Sequence, residues 1–187
     1  MDQESSLKNH FLIAMPHLVD PTFSHTITFV CEHNDNGAMG IVINRPLELC
    51  LGDIFRHIDV KNADLDRSND IVYNGGPVQT DRGFVIHNGS PKWKASLQVT
   101  DEINMTTSID ILEAIAHNKG PSKYLVALGY AGWDAGQLDE EMAANAWLSI
   151  EASPEIIFDT PFEQRWQAAA TTLGVDLNLL STSVGHA

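Results

Sequence analysis

The sequence predicts an α+β fold with a largely antiparallel or mixed sheet. Strand patterns come in runs with helical patterns inserted between them, and strict alternation of strand and helix is not seen. The clearest strand signals are the early runs FLIAM, TITFVCE and AMGIVIN, and the Asn36-Gly37 pair between the last two is typical of a hairpin turn. A chain of 187 residues without a repeat or linker is expected to form one domain, residues 1–187.

The middle of the chain mixes short helical and strand patterns. Residues 51–58, LGDIFRHI, have the apolar spacing of one face of an amphipathic helix. Residues 61–70 are charged and irregular, so we expect a surface loop there. Further strands are expected at DIVY, at GFVIH, at ASLQVT and at YLVALGY (124–130), and the last is apolar enough to be buried on both faces.

Helix-start signals mark the second half of the chain. Thr107 begins a capping-box pattern, TSID, that opens a helix with Ile109 on its apolar stripe. A glycine-rich loop is expected before a helix over 135–145, and a capping threonine followed by proline at 160–163 opens another helix. The strand AWLSIE separates these helices, and the tail LNLLSTSVGHA is expected to be loose at its end.

Charge and composition narrow the classes of function. Lysine and arginine number 11 against 25 acidic residues, which gives a net charge of −14. Such a surface repels phosphate backbones, so direct binding of nucleic acid is disfavoured. The start of the chain lacks a signal-peptide pattern, and no apolar run is long enough to cross a bilayer. We therefore expect a cytoplasmic protein, in which Cys31 and Cys50 are reduced thiols.

Common catalytic and cofactor motifs are missing from the sequence. There is no glycine-rich phosphate cradle, no nucleophile elbow and no HExxH motif. Ser24 and His25 are neighbours whose side chains would point to opposite faces of a strand, which disfavours a nucleophile–base pair. A metal site assembled from His17, His25 and a carboxylate stays open as an alternative. We expect no cofactor and no metal.

Three junctions between strand and loop share one pattern. INRP, YNGGP and GYAGWDAGQ each end an apolar run with asparagine, glycine or aromatic residues, and proline stiffens the first two. Glycine allows unusual backbone angles or close backbone approach, and binding residues concentrate in loops held by a rigid sheet. These segments are interpreted either as structural turns or as the walls of one shared binding cleft.

At these same segments the chain resembles the YqgE/AlgH family of bacterial proteins. The resemblance is carried by FLIAMPHLVDPTF, EHNDNGAMGIVINRP, VYNGGPVQTDRGFVIH and LGYAGWDAGQLDEEMAANAWL, and it covers nearly the whole chain. It implies an α+β fold in which a bifurcated, largely antiparallel β-sheet curls into a pseudo-barrel with flanking helices. It also implies a bacterial cytosolic protein linked by name to regulation of alginate production. It assigns no catalytic residues and no oligomeric state.

The candidate binding residues are those at which the junctions and the family motifs coincide. They are Asn44, Arg45, Pro46, Asn74, Gly75, Gly76, Pro77, Gln79, Asp81, Arg82, Gly83, Gly129, Tyr130, Gly132, Trp133 and Gln137.

The favoured hypothesis is a non-enzymatic regulatory or adaptor protein that binds a protein segment or a small ligand in this cleft. Two alternatives are an enzyme that uses Asp81 or His87 as general base beside Arg82, and a DNA-binding regulator, which the charge disfavours.

Overall fold

The computed structural model describes residues 6–15 and 25–174. One strand, β9, is longer than the rest at 11 residues, and it organises the sheet. The strands are β1 (His10–Ala14), β2 (Ile27–Asn34), β3 (Gly37–Val42), β4 (Pro46–Cys50), β5 (Ile71–Asn74), β6 (Val78–His87), β7 (Ser96–Gln98), β8 (Asn104–Thr106), β9 (Tyr124–Asp134) and β10 (Trp147–Glu151).

The helices are short and lie against the sheet. A π-helical turn, Glu155–Asp159, precedes the last of them. None of the helices in the described ranges is long and apolar enough to span a membrane. The helices are α1 (Leu51–His57), α2 (Leu65–Ser68), α3 (Ile109–Ala116), α4 (Gln137–Ala143) and α5 (Phe162–Thr172).

The sheet divides along β9. Its first half pairs with β5 in parallel and with β6 in antiparallel, whereas residues 131–134 pair with β3. The main path of the sheet runs β10-β1-β2-β3-β9-β6-β8-β7, with β4 joined to β5 off this path. β5–β9 is the one parallel pair among the described strands. The predicted α+β fold with a bifurcated, largely antiparallel, curled sheet and flanking helices is therefore confirmed.

Both faces of β9 are buried, as its continuous apolar run predicts. Leu125 and Ala127 belong to the cluster that packs under α5, while Val126 between them belongs to the cluster under α1 and α3. Ala131 and Trp133 continue into a third cluster beside α4. Successive strand residues point to opposite faces, so this single strand supplies side chains to all three clusters.

Several predicted elements differ from the structure. The expected loop at 61–70 contains the short helix α2, whose first turn is capped by Asp64 accepting from the Arg67 amide. The expected glycine-rich loop after residue 130 is instead the second half of β9, because pairing with β3 overrides the weak strand preference of its glycines. β4 and β8 lie outside the predicted strands. The tail LNLLSTSVGHA lies outside the described residues.

The predicted helix caps are also partly wrong. The N-cap of α3 is Ser108, and Thr107 bonds to Arg82 instead. Ile109, in the first turn and expected on the apolar stripe, is half-exposed, while Ile111 is buried. At the last helix, the Thr160 hydroxyl donates to the Glu155 carbonyl of the π-helical turn and caps nothing in α5.

Glu141 attaches α4 to the sheet. Its Oε1 accepts from both indole groups nearby, at 3.2 Å from Trp133 Nε1 and 2.9 Å from Trp147 Nε1. Its Oε2 accepts from Gln137 Nε2 at 3.0 Å. Both tryptophans are buried, so one carboxylate satisfies two indole donors that water reaches poorly.

Replacing Glu141 with alanine is expected to destabilise the protein by about 2 kcal/mol, because two buried indole N–H groups lose their acceptor. Glu140→Ala is the matched control, since Glu140 is exposed and its change should stay within about 0.5 kcal/mol. Urea denaturation measures both. Equal losses in the two variants would contradict the role given to Glu141.

Candidate functional site

The three junctions meet at the backbone. The Asn74 amide donates to the Arg45 carbonyl at 2.7 Å, and the Gly75 amide donates to the Leu128 carbonyl at 2.8 Å. The Gly75 carbonyl accepts from the Val42 amide at 2.9 Å. The ends of β3 and β5 and the middle of β9 are thus joined directly, main chain to main chain.

Glycine makes this approach possible. A Cβ on Gly75 would lie 2.3 Å from the Gly129 carbonyl oxygen, and one on Gly129 would lie 2.3 Å from the Gly76 oxygen. Gly76 and Gly129 also adopt φ of +151° and +81°, which other residues rarely adopt. These glycines serve a close backbone crossing and leave no space there for a ligand.

The asparagine side chains of the first two junctions are used in hydrogen bonds to the backbone, Asn44 at the start of β2 and Asn74 within its own turn. Asn44 accepts from the Ile27 amide at 3.1 Å and donates to the His25 carbonyl at 3.0 Å. Asn74 accepts from the Gly76 amide at 3.2 Å. The structural-turn interpretation therefore describes most of these segments, and their remaining candidates Arg45, Pro46 and Pro77 line neither groove described below.

Residues 79–82 bulge out of the sheet. Val78 pairs with Tyr130 and Gly83 pairs with Leu128, so the whole segment 79–82 lies opposite Gly129 alone. Gln79 takes a φ of +47°, and all residues of the segment are exposed. The bulge lies beside the glycine crossing, because Gly129, the residue that the bulge faces, is also the residue that contacts Gly76.

Arg82 is held on this bulge by neutral groups. Its guanidinium donates to Gln79 Oε1 at 3.2 Å and to Thr107 Oγ1 at 3.3 Å, and lies 5.6 Å from the centre of the Phe84 ring. No carboxylate of residues 6–15 or 25–174 forms an ion pair with it. An anionic group would gain a charge-assisted hydrogen bond here.

Beyond the bulge, one edge of β9 is open. The Trp133 carbonyl faces Gly37 of β3, and the Asp134 amide donates to Gln137 Oε1 at 2.9 Å. Antiparallel pairing alternates, so the peptide groups of Gly132 point away from β3. Gly132 is exposed, and no described strand pairs with β9 on this side after Tyr130. Main-chain donors and acceptors are therefore available at this edge.

This open edge borders a groove of about 600 Å³, which we call the edge groove. Its apolar floor comes from Met39, Phe84, Met105 and Tyr130, and the rings of Phe84 and Tyr130 meet edge to face at 5.5 Å. The other lining residues are Ala38, Val78, Gln79, Arg82, Thr107, Gly132, Trp133 and Asp134.

A second groove of about 820 Å³, the helix groove, lies between α1, α3 and β6. Arg82 lines both grooves, and Asp81 and Gly83 line this one. Its walls are largely apolar, and Asp53 at its rim accepts from the Cys50 amide, which lowers the pKa of this carboxyl. The other lining residues are Leu49, Ile54, His57, Ile58, Asp59, Val85, Thr106, Thr107, Ser108, Ile109, Leu112 and Leu128.

The sixteen candidates thus separate into groups. Five of them line the edge groove: Gln79, Arg82, Tyr130, Gly132 and Trp133. Gln137 lies at the end of this groove, where its side chain accepts from the Asp134 amide. Sequence reasoning missed Met39, Phe84, Met105 and Thr107, which lie on three separate segments: β3, β6, and β8 with the residue that follows it. Only Thr107 carried a signal, and its pattern indicated a helix cap.

His87 does not reach either groove. It is fully buried, with Nδ1 donating to the Asn88 carbonyl at 2.8 Å and Nε2 accepting from the Thr106 hydroxyl at 2.7 Å. Burial lowers the pKa of this imidazole from 6.5. Both nitrogens are engaged within the fold, which argues against His87 as a general base beside Arg82.

A metal centre finds no support in the described residues, where no group of three or more histidine, cysteine, aspartate or glutamate side chains could hold an ion. The alternative built on His17 lies outside this part of the chain.

The bifurcated sheet places the chain in a class of α+β proteins that includes solved bacterial structures. A family model described as AlgH-like matches residues 11–178. The solution structure of the AlgH protein from Pseudomonas aeruginosa superposes with a TM-score of 0.82 at 50% identity, covering 97% of this chain and 96% of that one. The chain belongs to the AlgH-like family.

Curated relatives are similar in sequence over all or nearly all of the chain. A UPF0301 protein of Thioalkalivibrio sulfidiphilus is 54% identical over 187 residues, covering 100% of both chains. One of Nitrosococcus oceani is 53% identical over 180 residues, or 96% of both chains. A crystal structure of a Corynebacterium diphtheriae protein shares the fold, with a TM-score of 0.71 at 18% identity, covering 97% of this chain and 94% of that one.

Gly129→Ala is expected to cost about 3 kcal/mol, because the methyl group overlaps the Gly76 carbonyl and the backbone angle is unfavourable. Gly89→Ala is the matched control. Gly89 has nearly the same φ, +80°, with nothing within 4 Å of an added Cβ, so only the backbone term of about 1 kcal/mol applies. Chemical denaturation of both variants measures the difference, and equal losses would refute the crossing as a steric constraint.

The lowered pKa of His87 predicts that the stability of the protein depends on pH. Its pKa is lower when folded, so the unfolded chain binds the proton more tightly, and stability is full above pH 6.5 and declines as the pH falls below it. His87→Gln should reduce this decline, while His57→Gln, which changes an exposed histidine, should keep it. Denaturation midpoints between about pH 7 and 5 give the comparison. An unchanged slope in His87→Gln would count against the assignment.

Proposed function

We propose that the protein is a non-enzymatic cytoplasmic adaptor that binds an extended segment of a partner protein along the edge groove. The observation that carries the proposal is the open edge of β9 at Gly132 beside a guanidinium that has only neutral partners. The free thiols of Cys31 and Cys50 fit a reducing compartment.

Strand addition is the binding mode that this edge favours. A partner segment lying antiparallel or parallel to β9 would pair with the amide and carbonyl of Gly132, which point toward the groove. Such main-chain bonds supply affinity for any extended sequence. The partner therefore has to supply only an extended segment whose main chain is free to form hydrogen bonds.

Selectivity would come from the side chains around the edge. Met39, Phe84 and Tyr130 form an apolar floor that suits an apolar side chain of the partner. Arg82 stands at the rim and suits a carboxylate, because a guanidinium and a carboxylate form two parallel hydrogen bonds. The expected partner segment is extended and carries one apolar and one acidic side chain.

The alternatives have less support. Direct DNA binding is opposed by a net charge of −14. An enzyme would need a nucleophile and base in one groove, and His87, the histidine considered for that role, is engaged inside the fold. The family's link by name to alginate regulation fits an indirect effect through a protein partner.

Arg82→Gln tests the proposal. A photo-crosslinking residue at Gln79, which is exposed beside the groove, captures the partner, and the captured segment is then prepared as a peptide. Arg82→Gln should weaken peptide binding about tenfold, the equivalent of one charge-assisted hydrogen bond. Arg56→Gln removes an exposed arginine outside both grooves and should leave the affinity unchanged.

Hydrogen exchange identifies the binding mode. Strand addition should slow exchange of the Gly132 amide when the peptide binds, whereas a ligand lying on the groove floor should not. If Arg82→Gln lowers the melting temperature but leaves captured proteins and peptide affinity unchanged, Arg82 is a structural residue and the proposal fails.

A further inference from the structure

A polar pocket of about 530 Å³ lies away from both grooves, between β5, the start of β9 and the π-helical turn. We call it the anion pocket, and its charged lining residues are Arg67, Asp70, Lys123, Asp159 and Arg165.

Arg165 is the unusual member of this set. It lies on α5, is only 6% exposed, and its guanidinium stands 5.1 Å from the centre of the Tyr73 ring. Nε donates to the Thr160 carbonyl at 3.0 Å, and Nη1 donates to the Ile43 carbonyl. In the part of the chain that the structure describes, no carboxylate pairs with Arg165. A buried cation with only neutral partners is costly to keep in a fold.

One nitrogen of this guanidinium remains available. Nη2 has no hydrogen-bond partner among the described residues, and it is not one of the buried polar atoms cut off from solvent. Arg165 lines the pocket, and Nη2 is the nitrogen of its guanidinium that carries no bond within the described fold.

The other charges of the pocket are already balanced. Lys123 Nζ lies 2.8 Å from Asp159 Oδ2, and Arg67 Nε lies 3.8 Å from Asp70 Oδ2. These pairs leave the charge of Arg165 uncompensated, so the lining is positive in a protein whose net charge is −14. A positive concavity in an acidic chain concentrates small anions.

We infer that the pocket binds a small phosphate-bearing ligand, with Arg165 Nη2 and Lys123 as donors to its oxyanion. The Lys123 ammonium has three N–H donors, and Asp159 accepts from one of them, so the others can serve a ligand. The lining adds the polar side chains of Asn69 and Ser122, and such a set of donors suits a tetrahedral oxyanion better than a neutral molecule. This site does not depend on the adaptor proposed above, because it shares no lining residue with either groove.

Inorganic phosphate is the probe, titrated into the whole protein at constant ionic strength with chloride as the reference anion. Amide resonances of Ser122, Lys123 and Arg165 should shift with one saturable curve in the millimolar range. Lys123→Gln should weaken binding about tenfold. Lys92→Gln, which changes an exposed lysine outside the pocket, should leave it unchanged.

Arg165→Lys keeps the charge but loses the planar fork, so binding should fall as well. If Arg165→Lys does not fold, the comparison of phosphate binding by Lys123→Gln and Lys92→Gln still tests the inference. Shifts that do not saturate, equal shifts with chloride, or equal weakening in both lysine variants would overturn the inference.

Discussion

The contact between the backbones of Gly75, Gly76 and Gly129 is the constraint on which the rest of the structure depends. There β5 ends its parallel pairing with β9, and β9 exchanges β5 for β3 along one edge. An added Cβ would come within 2.3 Å of a backbone atom at any of these positions. Because glycine leaves space for the two backbones at this crossing, β9 can pair with β5 in one half of the sheet and with β3 in the other.

The open edge and the bulge lie next to this crossing. Because β6 pairs with β9 on both sides of Gly129, through Val78 and Gly83, residues 79–82 bulge out between these pairs and carry Arg82 to the surface between the two grooves. Since β6 begins at Val78, opposite Tyr130, no described strand pairs with Gly132 on the edge of β9 that faces away from β3. The proposed binding surface thus lies where the sheet is divided, and Glu141 holds α4 against two tryptophans at its far end.

Much of the fold could be predicted from local signals. The Asn36-Gly37 hairpin, the amphipathic helix after residue 50 and the buried first half of β9 each have a pattern that needs no tertiary context. The second half of β9 could not be predicted, because its glycines favour a loop and only pairing with β3 makes it a strand. Likewise, Met39, Phe84 and Met105 are ordinary apolar residues, and only the curled sheet brings them together as a groove floor.

Amide hydrogen exchange in the free protein tests this account most directly. If β9 pairs with β3 on one side and is open on the other, Ala131 and Trp133 should be protected, and Gly132 between them should exchange rapidly. Protection of Gly132 equal to that of its two neighbours would contradict the open edge, and with it the proposed binding surface along β9.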